Sequence, residues 1–198
     1  MCTSPSGSPG YVSLTIYYAG DKYKQYSRKI GFLYYDTPKI NKFYPTCGPV
    51  TGYTQITVEG ENFVNMGFGR AKCIFNNTYH MNATIMETNL IKCDSPILPE
   101  ASKTALNHGK YTPWFNVSIT LNGREIVTAQ QHFMYYVDPT IKAVTPNLGP
   151  ISGGTVSKIL GSGFSQEGAC NVTVRYGPLT QEPAKDKIQD GELEVASP

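Results

Sequence analysis

Apolar and polar residues alternate with period two along several stretches of the chain. Phe115, Val117, Ile119 and Leu121 are separated by Asn116, Ser118 and Thr120, and Asn122-Gly123 follows. Val12, Leu14 and Ile16 are separated by Ser13 and Thr15, with Gly20-Asp21 beyond them, and Val172, Val174 and Tyr176 alternate with Asn171, Thr173 and Arg175. Successive side chains on a strand point to opposite faces, so each stretch predicts a strand with one buried face. Asn-Gly after such a run is a hairpin-turn signal. No stretch has a convincing helical period. Short strands punctuated by Gly and Pro predict an all-β chain of antiparallel sandwich type.

The pattern also repeats. Phe32-Leu33-Tyr34-Tyr35-Asp36-Thr37-Pro38-Lys39-Ile40 returns as Phe133-Met134-Tyr135-Tyr136-Val137-Asp138-Pro139-Thr140-Ile141, at an offset of 101. The same offset relates Pro45 to Pro146, Pro49 to Pro150, Gly52 to Gly153, Gly60 to Gly161, Phe63 to Phe164 and Phe75 to Tyr176. Cys2-Thr3-Ser4-Pro5 matches Cys93-Asp94-Ser95-Pro96, and Ser95-Pro96 matches Ser197-Pro198. A repeat of about 100 residues has the size of a whole small domain rather than a solenoid unit. The expected organisation is the closing part of a first bead over 1–38, a complete bead over 39–138, and the opening part of a third over 139–198. Asp36-Thr37-Pro38 and Asp138-Pro139 read as short, stiff linkers.

Three local motifs carry a family resemblance. They are Pro45-x-x-Gly48-Pro49-x-x-Gly52, Val58-x-Gly60-x-Asn62-Phe63 and Cys93-x-x-Pro96; the first two return as Pro146-x-x-Gly149-Pro150-x-x-Gly153-Gly154-Thr155 and Gly161-x-Gly163-Phe164. The chain resembles tandem IPT/TIG domains, immunoglobulin-like β-sandwiches found in plexins, Met-type receptors, fibrocystin-like and other surface proteins, and also in transcription factors. The resemblance implies a fold and leaves function open, because one fold hosts many functions.

Of the five cysteines, Cys73 shares a face with Ala71 and Phe75, and Cys93 shares a face with Ile91. Both faces are expected to point into the sandwich. In the third repeat their counterparts are Val174 and Val195, so both members change together to an apolar residue. That is the substitution expected of a Cys73–Cys93 disulfide, with two buried thiols as the plainer alternative. Cys2 occupies the Cys93 position, which places its natural partner upstream of residue 1. Cys47 and Cys170 fall in loops without counterparts and are left unpaired.

Four Asn-x-Ser/Thr sequons occur, at Asn76, Asn82, Asn116 and Asn171. Asn76, Asn116 and Asn171 fall on the polar side of their local alternation and Asn82 in the polar stretch after Asn76, so all four are expected to carry N-linked glycans in a secreted protein. The first ten residues lack the basic and apolar regions of a secretory leader, and the chain is therefore expected to begin downstream of one.

Composition narrows the classes further. At 198 residues, 40% hydrophobic and 16% charged, the chain is too apolar for disorder. A net charge of +2 without a basic block gives no footprint for nucleic acid, and no apolar run approaches the ~20 residues of a membrane span. His80, His108 and His132 lie in unrelated contexts, no Cys-x-x-Cys or nucleophile elbow appears, and Gly149–Thr155 lacks the Lys-Ser/Thr ending of a phosphate loop. No catalytic residue, cofactor or metal is expected; one Asp per linker, Asp36 and Asp138, is too few for Ca²⁺. If Phe32 and Tyr34 face the core, then Leu33, Tyr35, Met134 and Tyr136 face out and form a candidate contact stripe. The expected function is a non-enzymatic structural or adhesive glycoprotein, extracellular or at the cell surface: a rod of beads assembling head to tail or lying within a longer array, as a filament or fibril. The alternative is the ectodomain stalk of a plexin- or fibrocystin-like receptor.

Overall fold

The computed structural model describes residues 3–16, 20, 30–65, 67, 69–102, 114–164, 173–181, 188–189 and 192–196. The chain is all-β. A two-stranded hairpin comes first, β1 (Gly10–Leu14) with β2 (Ile30–Tyr34). Eight strands follow: β3 (Lys39–Tyr44), β4 (Cys47–Pro49), β5 (Gln55–Glu61), β6 (Lys72–Phe75), β7 (Tyr79–Glu87), β8 (Leu90–Asp94), β9 (Trp114–Thr120) and β10 (Val127–Tyr136). The remainder contains β11 (Thr140–Thr145), β12 (Val156–Ser162), β13 (Val174–Tyr176), β14 (Leu179–Gln181), β15 (Ile188–Gln189) and β16 (Glu192–Ala196).

The middle eight strands form two layers joined by one strand. Their hydrogen-bonded order is β3-β5-β8-β7-β6-β9-β10-β4. The first half of β7 pairs with β6 and its second half with β8, so this nine-residue strand passes from one layer to the other. Between the layers lie Phe43, Ile56, Val58 and Ile91 from one side and Phe75, Phe115, Val117, Ile119, Phe133 and Tyr135 from the other, all buried. The aromatic rings meet edge to face: Phe115–Tyr135 at 4.9 Å, Phe133–Tyr135 at 5.0 Å and Phe75–Phe133 at 5.9 Å. Each such side chain contributes about 1.5–3 kcal/mol on burial. Tyr135 keeps its hydroxyl satisfied by donating to the Pro96 carbonyl at 3.0 Å.

Two glycines are fixed by close approach rather than by backbone handedness. A Cβ on Gly60 would lie 2.0 Å from the Lys39 carbonyl oxygen, and one on Gly161 would lie 2.0 Å from that of Thr140. Both sit where a register shift interrupts the pairing, between Ile40 and Lys42 and between Ile141 and Ala143. The repeat seen in the sequence is thus the same local backbone built twice. In the third unit β11-β12-β16-β15 form a sheet over a smaller core of Ile159, Phe164 and Val195.

Candidate contact surfaces

The sequence directs attention to four kinds of position, and the structure treats them differently. Cys73, on β6, and Cys93, on β8, are joined by a disulfide that ties the two layers together. Cys47 lies in β4 rather than in a loop; it is buried and disulfide-bonded. Cys2 and Cys170 lie outside the described residues. Nothing in the repeat signals the bond at Cys47, because residue 148, its counterpart, is leucine.

Asn76, Asn82 and Asn116 are all exposed, beside buried Phe75, half-buried Met81 and Ala83, and buried Phe115 and Val117. Asn82 and Asn116 are on strands, and Asn76 lies in the turn between β6 and β7 with φ of 49°. Asn171 lies outside the described residues. His80 and His132 are exposed on β7 and β10, and His108 lies outside the described residues. Among the described residues no three His, Cys, Asp or Glu side chains are placed to hold a metal ion.

The outward stripe needs correction. Met134 is only 2% exposed, Leu33, Tyr35 and Tyr136 are half-buried, and no continuous apolar face results. The alternation assumed a solvated outer face, but the outer face of the β6-β9-β10 layer is itself covered. Ile74, Ser118 and Thr120 on it are buried, and Ser118 Oγ is satisfied by Thr128 Oγ1 at 2.9 Å.

Tyr35 instead anchors the first linker. Its ring packs against the central core, and its hydroxyl accepts from Asn122 Nδ2 at 3.0 Å and donates to Glu125 at 3.5 Å. Burial, reinforced by the Glu125 carboxylate, raises the phenol above its ordinary pKa. Asn62 Nδ2 adds a bond to the Thr37 carbonyl at 3.2 Å. At the second linker Thr51 donates to Asp138 at 3.2 Å. There burial first, and the Asp138 charge second, raise the Tyr136 phenol. Gly163, with φ of 80°, presses on this linker: a Cβ there would meet the Pro139 Cα at 3.1 Å.

Among the described residues, the hairpin carries several exposed apolar side chains. Val12, Leu14 and Phe32 are 45%, 44% and 36% exposed, with Tyr11, Ile16 and Ile30 more so. Its register repeats that of β9–β10: Val12 faces Phe32 as Phe115 faces Phe133, and Tyr11 faces Leu33 as Trp114 faces Met134. A groove of about 460 Å³ runs along Leu148-Gly149-Pro150 and reaches Val144, Thr155 and Tyr176.

Comparison with known proteins agrees with the repeat. The family model of the IPT/TIG domain matches residues 38–135 and again 139–184. Among solved structures, the plexin A4 full extracellular region aligns over 98% of this chain at 17% identity with a TM-score of 0.49. A second crystal form of it aligns over 81% at 19% identity and a TM-score of 0.44. An auxiliary nutrient binding protein from Bacteroides ovatus ATCC 8483 aligns over 58% at 20% identity, covering 24% of that chain, with a TM-score of 0.38. The present chain spans 15% of the length of the plexin chains. The two family matches together cover most of the sequence, and on them the chain belongs to the IPT/TIG domain family.

Proposed function

We propose that the chain is a length of an extracellular, non-enzymatic rod, built of IPT/TIG beads, carrying N-linked glycans and serving a structural or adhesive role in a surface filament. Residues 39–138 are the complete bead, and 1–38 and 139–198 are parts of its neighbours. The observation that carries this reading is the Cys73–Cys93 bridge between the two layers. A structural disulfide in an unremarkable hydrophobic core belongs to an oxidising compartment. The exposed sequon asparagines fit that compartment, since a glycan on Asn76, Asn82 or Asn116 would meet solvent and not core.

The fixed linkers support a rod over a flexible string. Tyr35, Asn62 and Asp138 each tie a linker to the central bead through a side-chain hydrogen bond. Intact-glycopeptide mass spectrometry of protein secreted from a eukaryotic host tests the compartment. The expected result is occupancy at Asn76, Asn82, Asn116 and Asn171. Bare asparagines at all four positions would overturn the extracellular reading.

A further inference from the structure

The sequence contains a single Asn-Gly pair, Asn122-Gly123, in the loop that joins β9 to β10. Asn followed by Gly is the dipeptide most open to attack on itself. Glycine has no side chain to shield its backbone nitrogen from the amide carbon of the residue before it. That reactivity belongs to the pair. Its surroundings decide whether the reaction runs and what it changes.

The loop favours the attack at both reacting atoms. Asn122 Oδ1 accepts from the backbone N–H of Arg124 at 2.9 Å and from that of Glu125 at 3.3 Å. Two donors thus already sit on the oxygen that gains charge when the amide carbon is attacked. The Gly123 N–H donates to Thr120 Oγ1 at 2.9 Å and stands outside the β9–β10 ladder, so freeing it breaks no strand pairing. Gly123 is exposed, and a Cβ there would meet nothing within 4 Å, so water reaches the pair.

The same amide latches the first linker. Asn122 Nδ2 donates to the Tyr35 hydroxyl at 3.0 Å and to the Glu125 carboxylate. An oxygen in place of Nδ2 has no proton to give to either. It would also set a second carboxylate within hydrogen-bonding distance of Glu125, where like charges repel. Tyr35 would lose the donor that holds its hydroxyl over the loop.

We propose that Asn122-Gly123 is a self-modifying site, and that its conversion to aspartate or isoaspartate unlatches the first linker from the central bead. The Gly123 nitrogen gives up its proton and bonds to Asn122 Cγ. The Cγ–Nδ2 bond breaks, and ammonia leaves with that proton as a five-membered imide closes. Water then opens the ring at one carbonyl or the other. Nothing is oxidised or reduced: amide and water become acid and ammonia. The Asn62 bond to the Thr37 carbonyl survives, so the joint loosens into a hinge and does not come apart. The second linker is tied through Thr51 and Asp138, with no asparagine amide in that bond, and stays fixed.

The test uses the whole 198-residue chain, held at neutral pH and body temperature. Fragment-ion sequencing should find residue 122 converting about tenfold faster than any other asparagine. Asn122→Gln keeps an amide but needs a larger ring, and should stop the conversion. Amide hydrogen exchange at Tyr35, Asp36 and Thr37 should rise about tenfold in the converted fraction, while β9 and β10 keep their protection. The Tyr35 phenol should then titrate closer to its ordinary value. Asn122→Asp supplies the aspartate product directly and should open the linker to the same extent. Tyr35→Phe, which keeps the ring and removes the hydroxyl, should leave the linker indifferent to the state of residue 122. A residue 122 that converts no faster than the other asparagines overturns the proposal, as does conversion with unchanged exchange at the linker. Exchange raised throughout the bead also overturns it, because that is unfolding and not release of a joint. Glycan occupancy bears on none of these outcomes, so the extracellular reading stands or falls on its own experiment.

Discussion

Tyr135 shows how one side chain can be both core and polar contact. Its ring is buried against Phe115 and Phe133, and its hydroxyl finds the Pro96 carbonyl. Burial drives its pKa far above the ordinary value. The folded state therefore holds the proton more tightly than the unfolded chain, and stability falls as pH rises past the unfolded value near 10. Tyr135→Phe removes this dependence and also one buried hydrogen bond. The expected result is a loss of about 1 kcal/mol at pH 7, with a shallower decline above pH 10 than in the unmodified protein. Urea midpoints across pH 7–11 measure both. At Gly60 the constraint is contact: Gly60→Ala puts a methyl against the Lys39 carbonyl and the Phe63 ring. It should cost about 3 kcal/mol, read as a lowered midpoint with an unchanged denaturant slope.

At the level of elements, period-two alternation was enough to place β9, β1 and β13, because each has one apolar face. It misled at β10, where Phe133, Met134 and Tyr135 are buried in succession. A strand covered on both faces has no alternation to read, and a single sequence does not say which strands are covered. The paired change of Cys73 and Cys93 to Val174 and Val195 was readable because the chain contains its own comparison sequence. Cys47 had no such counterpart, and its bond was invisible for that reason. The turn at Asn76 was missed as a turn, since Asn76 also fits as the next alternating polar residue of its strand. The Cys73–Cys93 bridge joins β6 to β8, the two strands on either side of β7, and closes a separation of 20 residues. Replacing both by alanine should lower stability by about 3 kcal/mol, measured by chemical denaturation against the same protein with the bridge intact.

For the molecule as a whole, the repeat was legible in the pattern, and the two family matches begin 101 residues apart, whereas the linker contacts were not. Asn62 to Thr37 and Thr51 to Asp138 join residues 25 and 87 apart, and their hydrogen bonds depend on loop conformations that no periodicity encodes. Tyr35 likewise looked like one more outward residue, and its true neighbours are in a loop 87 to 90 positions away.

The parallel pairing of β4 with β10 has a mechanical consequence. The two strands lie near the bead's entry and exit, and Met134 N–H to Thr46 and Val50 N–H to Tyr136 stitch them side by side. When the two ends of a bead are pulled apart along its axis, parallel strands slide past each other. The bonds of this patch are then loaded in shear, together, rather than peeled one at a time. If the patch yields, the segment between Cys73 and Cys93 is still withheld from extension by its covalent bridge. A row of such beads would bear tension first at its terminal strand pairs, with part of every bead shielded from stretching.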